Sequence, residues 1–188
     1  MQRKKILFLS IAALVFAAVA FLTACDQIKP PAPKPKKGEG NPPMDIQAAV
    51  EKVAPGWKAA QCGPAMDPGL RPEWGGKKNV LMTHPLDRNT GCVLSKKIEA
   101  PAGKKTVLHL VVANDPRGDF DLIVRANGRE LVRKTVAVNK GDTQNQWLTE
   151  DVDLSPQAGR KVNLELVNQP NGWSWEAAYW AEIDVKSE

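Results

Sequence analysis

From residue 79 to the C-terminus the chain keeps a period of two, and that repeat constrains its fold more than any other feature of its 188 residues. Val80-Leu81-Met82 and residues 92–98 open the series. Residues 106–114 (TVLHLVVAN) are apolar at both parities, as for a strand in the middle of a sheet. Residues 119–126 alternate, with Phe120, Leu122, Val124 and Ala126 facing inward. Asn127-Gly128 is a strong hairpin signal leading into residues 130–138. Residues 146–154, 161–168 and 178–186 complete the set. Short strands separated by Gly, Pro, Asn and Asp turns predict an all-β chain folded as a two-sheet antiparallel sandwich.

The same parity argument assigns faces. In the last strand Tyr179, Ala181, Ile183 and Val185 fall on the core side, which places Trp180 outside with Glu182 and Asp184. Trp147 falls outside by the same reasoning. Ahead of the strands, residues 44–54 form the one expected helix: Asp45 caps it, and Ile46, Ala49, Val50 and Val53 share one stripe. Pro55-Gly56 stops it, and it is too short to stand without docking on the body that follows. Residues 56–79, rich in turn signals, are expected to form an irregular ordered loop held by Trp57, Trp74 and a disulfide. Once Cys25 is set aside, Cys62 and Cys92 are the remaining cysteines. Two thiols in an exported domain favour a bridge, and metal ribbons want paired C-x-x-C ligands. Closing a 30-residue loop contributes about 3–4 kcal/mol in the chain-entropy picture.

The N-terminus is a different kind of sequence. Arg3, Lys4 and Lys5 precede an apolar run of 17 residues from Ile6 to Leu22, the parts of a secretory signal peptide. An uncleaved membrane anchor is the rival reading, but the run is short for a span. Leu22-Thr23-Ala24-Cys25 resembles the lipobox of bacterial lipoproteins. The resemblance implies diacylation of the Cys25 thiol, cleavage before it, and a mature chain held to a membrane by its acyl groups. Asp26 leaves the choice of membrane open. Residues 27–43 alternate proline and lysine, a composition that stays extended and unpacked; at about 3.1 Å per residue it reaches roughly 50 Å. The expected organisation is a signal peptide over 1–24, a lipidated cysteine and linker over 25–43, and a folded domain over 44–188. The location implied is the cell envelope, facing the periplasm or the surface.

The charge of +5 misdescribes the domain. Seven basic residues precede residue 44, and from there on 19 Lys and Arg balance 19 Asp and Glu. A nucleic-acid binder carries its basic excess on the folded part, so nucleic acid is not an expected partner.

Val152-Asp153-Leu154-Ser155, the run Ala158-Gly159-Arg160-Lys161-Val162-Asn163-Leu164-Glu165-Leu166, and the closing Gly172 to Val185 stretch (GWSWEAAYWAEIDV) resemble galactose-binding-like jelly rolls, including carbohydrate-binding modules of the NPCBM type. The likeness runs over roughly residues 80–185. It implies a jelly-roll-like sandwich that recognises sugars at its loop ends, sometimes with a structural calcium. It transfers no ligand residue.

Catalytic patterns are missing: the chain has no G-x-S-x-G, H-E-x-x-H or G-x-x-x-x-G-K-[ST]. His109 sits mid-strand and His84 in a Pro-Asp turn, so both read as structural. No cofactor is expected. Residues 114–121 (NDPRGDFD) gather oxygen ligands, with Asp115 and Asp119 as candidates for calcium; turn formation explains the same residues and is favoured. The chain has six tryptophans and one tyrosine. Indole faces stack on sugar rings, so Trp173, Trp175 and Trp180 are the candidate platform, with Asp119, Glu176 or Arg88 bonding hydroxyls. Edge-capping by the same indoles is the competing explanation. The reading is a binding module for a glycan or other envelope ligand. An envelope scaffold that docks proteins is the alternative, and an enzyme the least favoured.

Overall fold

The computed structural model describes residues 45–137 and 147–188. The expected signal peptide, the lipid site at Cys25 and the linker lie outside the described residues, as do residues 138 and 146 at the ends of two expected strands. Helix α1 spans Ile46–Val53. The strands are β1 (Lys58–Ala60), β2 (Gly69–Trp74), β3 (Lys77–Thr83), β4 (Cys92–Glu99), β5 (Thr106–Asn114), β6 (Phe120–Ala126), β7 (Arg129–Val136), β8 (Leu148–Asp153), β9 (Lys161–Gln169) and β10 (Ala178–Ser187). They form two antiparallel sheets, ordered β1-β4-β9-β6-β7 and β2-β3-β10-β5-β8, so the chain is an all-β, jelly-roll-like sandwich with one short helix.

The period of two does the sorting. Leu108, Leu110 and Val112 of β5, Phe120, Leu122 and Val124 of β6, and Leu164 and Leu166 of β9 meet between the sheets, all removed from water. Each such large apolar side chain contributes about 1.5–3 kcal/mol relative to exposure. The Asn127-Gly128 hairpin forms as expected, with φ of +51° and +79°, left-handed values that Asn and Gly tolerate. Asp45 caps α1 by accepting from the Gln47 and Ala48 amides at 3.0 and 3.4 Å. Ala49 and Val50 then enter the core. The Gln47 side chain splices the helix to the sheet, donating to the Trp57 carbonyl at 2.8 Å and accepting from the Ala59 amide at 2.9 Å. Cys62 and Cys92 are disulfide-bonded, joining the chain ahead of β2 to the start of β4.

Two expectations fail, both for identifiable reasons. Residues 56–79 are not an irregular loop throughout but contain β1 and β2. The turn signals of Asp67-Pro68-Gly69 and Trp74-Gly75-Gly76 fall at the two ends of β2, an edge strand that tolerates Pro72. Trp180 is not on the outer face; it is 0% exposed in the main core, its indole N–H donating to Thr83 Oγ1 at 2.9 Å. The register of β10 against β5 slips between Trp180 and Glu182. That bulge inserts one residue, so Trp180 and Ile183 both point inward while Glu182 and Asp184 point out. Tyr179 consequently belongs to a second apolar cluster on the outside of its sheet, with Val80, Met82, Ala113 and Ala177.

Candidate functional site

Thr83, Asn114, Gln169 and Ala178 end or begin their strands at the same end of the sandwich, because Ala178 pairs with both Thr83 and Asn114. Three connections gather there: residues 84–91, 115–119 and 170–177. Polar side chains from the strand ends fasten them. Asn168 donates through Nδ2 to the Thr83 carbonyl, Thr83 Oγ1 and the Glu176 carbonyl at 3.1–3.4 Å. Asn114 donates to the Asp115 and Gly118 carbonyls at 2.9 and 2.7 Å. Gly118 passes so close to the neighbouring loop that a Cβ there would lie 2.5 Å from the Ser174 and Trp175 carbonyl oxygens. Only glycine allows that approach.

On this scaffold the indoles of the 170–177 loop take different positions. Trp175 is 42% exposed and holds φ at +64°, a left-handed conformation in which a bulky side chain is an outlier. The Arg117 guanidinium lies 3.4 Å from its ring centroid. Arg117 is itself fixed by a two-pronged pair with Asp115, Nε to Oδ1 at 2.8 Å and Nη2 to Oδ2 at 2.9 Å, while its amide donates to Oδ1 at 3.0 Å. Burial of Asp115 pushes its carboxyl up, but the Arg117 bonds and charge outweigh this and hold it below the usual aspartate range. Trp173 is half-buried and meets His84 edge to face, with ring centroids 5.5 Å apart. His84 is buried, and desolvation lowers its pKa despite the contact of Nδ1 with the Pro85 carbonyl at 2.9 Å.

The remaining sequence candidates divide. Glu176 is 1% exposed, and its carboxylate accepts from the Asn171 and Gly172 amides at 3.3 and 2.8 Å. It therefore shapes the loop that presents Trp173 and Trp175 instead of facing a ligand's hydroxyls. Burial raises its pKa, only partly offset by those amides, and the Asp119 charge adds to the rise. Asp119 is half-buried beside it. Arg88 is exposed at the tip of a turn that Asp87 builds by accepting from the Asn89 and Thr90 amides at 2.8 and 2.9 Å. Trp180 is removed from the platform by its burial. Asp115, one of the two calcium candidates for which turn formation was the favoured explanation, has both carboxylate oxygens bonded to Arg117, and no group of three or more His, Cys, Asp or Glu among the described residues is placed to hold a metal. Sequence reasoning missed Arg117 as the partner of Trp175, since a contact between residues 58 positions apart leaves no local signal.

A second aromatic group lies on the outer face of β2, β3 and β10. Trp74 stacks on Tyr179 at 3.7 Å and 8°, and Trp147 meets Trp74 edge-on at 5.4 Å while donating to the Gly75 carbonyl at 2.8 Å. Trp147 is outside the core, as expected from its parity.

No family model matches the chain, and no curated protein matches it. Solved structures do. The chain is similar to a Stig cyclase from Fischerella sp. TAU (15% identity, 78% of this chain and 96% of that one, TM-score 0.51). It is also similar to the K1 cleaved adhesin domain of Lys-gingipain from Porphyromonas gingivalis W83 (18% identity, 71% and 91%, TM-score 0.51). A family 35 carbohydrate-binding module from Clostridium thermocellum aligns over 70% of this chain and 92% of its own, at 10% identity and a TM-score of 0.47. At these identities the first two likenesses establish a shared sandwich architecture and nothing about ligands.

Proposed function

We propose that the chain is a binding module of the bacterial cell envelope, tethered through acylated Cys25, whose loop end stacks a glycan on Trp175 with Trp173 as a second plate. The observation that carries this is Trp175 itself. A large apolar ring stands in water in a strained backbone conformation, backed by an arginine that is locked to a buried aspartate. Strain of that kind persists only where surrounding structure enforces it. The planar guanidinium stiffens the indole, and a stiff apolar plate beside polar groups suits the hydrogen-lined face of a sugar ring. Asp119 and Arg88 supply polar rim groups on neighbouring connections, whereas Glu176 acts by holding the loop. Leu22-Thr23-Ala24-Cys25 and the proline-lysine linker support the tether; mass spectrometry of the mature protein is expected to find a cleaved, acylated Cys25.

Glycan-array binding by the intact protein tests the loop end. Trp175→Ala is expected to weaken a positive signal at least about tenfold, equal to about 1.4 kcal/mol. Undiminished binding would remove Trp175 from the reading. Protein docking is the second reading, favoured by the partly exposed Trp74 and Trp147 on the outer face of β2, β3 and β10. It predicts a partner whose capture survives Trp175→Ala and is lost with Trp147→Ala.

A further inference from the structure

The domain's balanced charge conceals an uneven distribution. On the outer face of the β1-β4-β9 side, Lys58 stands opposite Ser95, and Lys97 opposite Asn163. These side chains alternate with Ala59, Leu94, Ile98 and Leu164, which face the core, so all four point to water from one surface. Three adjoining hollows run along that surface. The first, about 300 Å³, includes Lys58, Ser95, Lys96 and Lys97; it shares Lys97 and Asn163 with a second of about 470 Å³. The second shares Glu99 and Lys161 with a third of about 300 Å³ that reaches Arg160. Together they make a trough following β4 for roughly 20 Å, at about 3.3 Å per residue.

Five cations and one carboxylate line this trough, and the carboxylate is paired: Glu99 lies 3.5 Å from Lys161. Glu165, next along the face, is bound by Arg125 at 3.9 Å and by Asn163 Nδ2 at 3.2 Å. Lys96, on the parity of Leu94 and Ile98, donates to the Pro55 carbonyl at 2.9 Å, which fixes its position. Lys58 and Lys97 are exposed and have no acidic partner among the described residues. Like charges held together without counter-charges destabilise a fold slightly. Here they concentrate in an elongated depression of that face, with an amide and a hydroxyl between them.

We propose that this trough is a second binding site, distinct from the loop end, that takes an acidic polysaccharide: its carboxylates on Lys58, Lys97 and Arg160, its hydroxyls on Ser95 and Asn163. Three features favour that ligand class over other polyanions. The surface is a trough, which receives a chain, whereas a membrane calls for a protruding face. Among the described residues no aromatic ring lines it, so there it lacks the stacking platforms on which single-stranded nucleic acid is held. Hydrogen-bonding groups alternate with the cations, matching a chain that alternates hydroxyls with carboxylates.

The test is titration of the intact protein with polygalacturonate, and in parallel with phosphatidylglycerol vesicles and a single-stranded oligothymidylate. Binding to polygalacturonate is expected, weakening as salt rises, because the lysines are exposed and screened. The double substitution Lys58→Ala/Lys97→Ala is expected to lower that affinity about tenfold. Lys186→Ala, an exposed lysine on β10 of the other sheet, changes net charge without touching the trough and is expected to leave it unchanged. Absence of binding, or an affinity insensitive to the double substitution, overturns the proposal. So does tighter, Lys58- and Lys97-dependent binding to the vesicles or the oligonucleotide, which would assign the face to a membrane or to nucleic acid.

Discussion

At the loop end of the sandwich nearly every polar side chain named above is bonded to another part of the protein; on the β4–β9 trough Lys58 and Lys97 point into water. Asp115 holds Arg117, Asn168 reaches three acceptors, and Glu176 gathers two amides, while Lys58 and Lys97 have no acidic partner among the described residues. The difference separates two ways a surface comes to bind something. Buried hydrogen bonds fix a shape, and the shape presents one indole; removing them costs stability first and binding as a consequence. Exposed, uncompensated charges fix nothing, so removing them leaves the fold alone and changes only what it attracts.

The contrast is broken most severely from the inside. Trp180 fills the core beneath the loop end and bonds Thr83, which in turn receives Asn168. Trp180→Ala is expected to cost about 3–5 kcal/mol in thermal or urea unfolding. A loss below 1 kcal/mol would mean that the indole is not packed as described. The disulfide comes next. Replacing Cys62 and Cys92 by alanine frees a loop whose ends are 30 residues apart, and the unfolded-state entropy argument gives a loss of about 3–4 kcal/mol. Asn168→Ala should cost about 2–3 kcal/mol, since three hydrogen bonds from one buried amide disappear together. All three are measured by unfolding, and all are expected to reach the loop end.

A smaller effect separates two groups that share that end. His84 has a pKa lowered by burial, so below about pH 6.5 the unfolded chain takes a proton that the folded one refuses, and stability falls as pH drops. Glu176 has a pKa raised by burial, so the folded carboxyl takes its proton first. Its contribution is present below the ordinary glutamate value of about 4.3 and is lost as pH rises through the raised one. Melting temperatures followed from pH 7 to pH 4 should therefore lose a downward slope in His84→Gln and lose an upward one in Glu176→Gln. Equal slopes in both variants and the wild type would show that neither group is desolvated.

How far the sequence foretold this division depends on the reach of each signal. Local signals were legible. The capping of α1 by Asp45, the Asn127-Gly128 hairpin and the span of β5 were all readable, because each depends on neighbours within a few residues. Parity was legible only where the strand is regular: it placed Phe120 and Trp147 correctly and misplaced Trp180, because one bulged residue inverts every face beyond it. β2 was hidden between the turn signals of Asp67-Pro68-Gly69 and Trp74-Gly75-Gly76, because which turn-flanked segments pair as edge strands is a property of the whole sheet. At the loop end, Trp175 was nameable from composition, but its arginine partner and the structural duty of Glu176 come from contacts between separate loops. The trough was hidden more deeply. Counting 19 charges of each sign argued against a nucleic-acid partner and gave no hint of a local basic patch, and only register reveals that Lys58 and Lys97 share a face.

The sharpest form of the comparison is the effect expected to be smallest. Lys58 and Lys97 are exposed, no carboxylate pairs with either among the described residues, and neither side chain supports the core. Exposed substitutions of that kind change stability by no more than about 0.5 kcal/mol, and relief of like-charge repulsion can make the change slightly favourable. The double alanine variant should therefore melt with the wild type at low salt, and differences should vanish as salt rises and screening takes over. Loss of more than 1 kcal/mol would show that the lysines are tied into the sheet like the residues of the loop end, and the distinction between a surface that holds its own shape and one left open for a ligand would no longer stand.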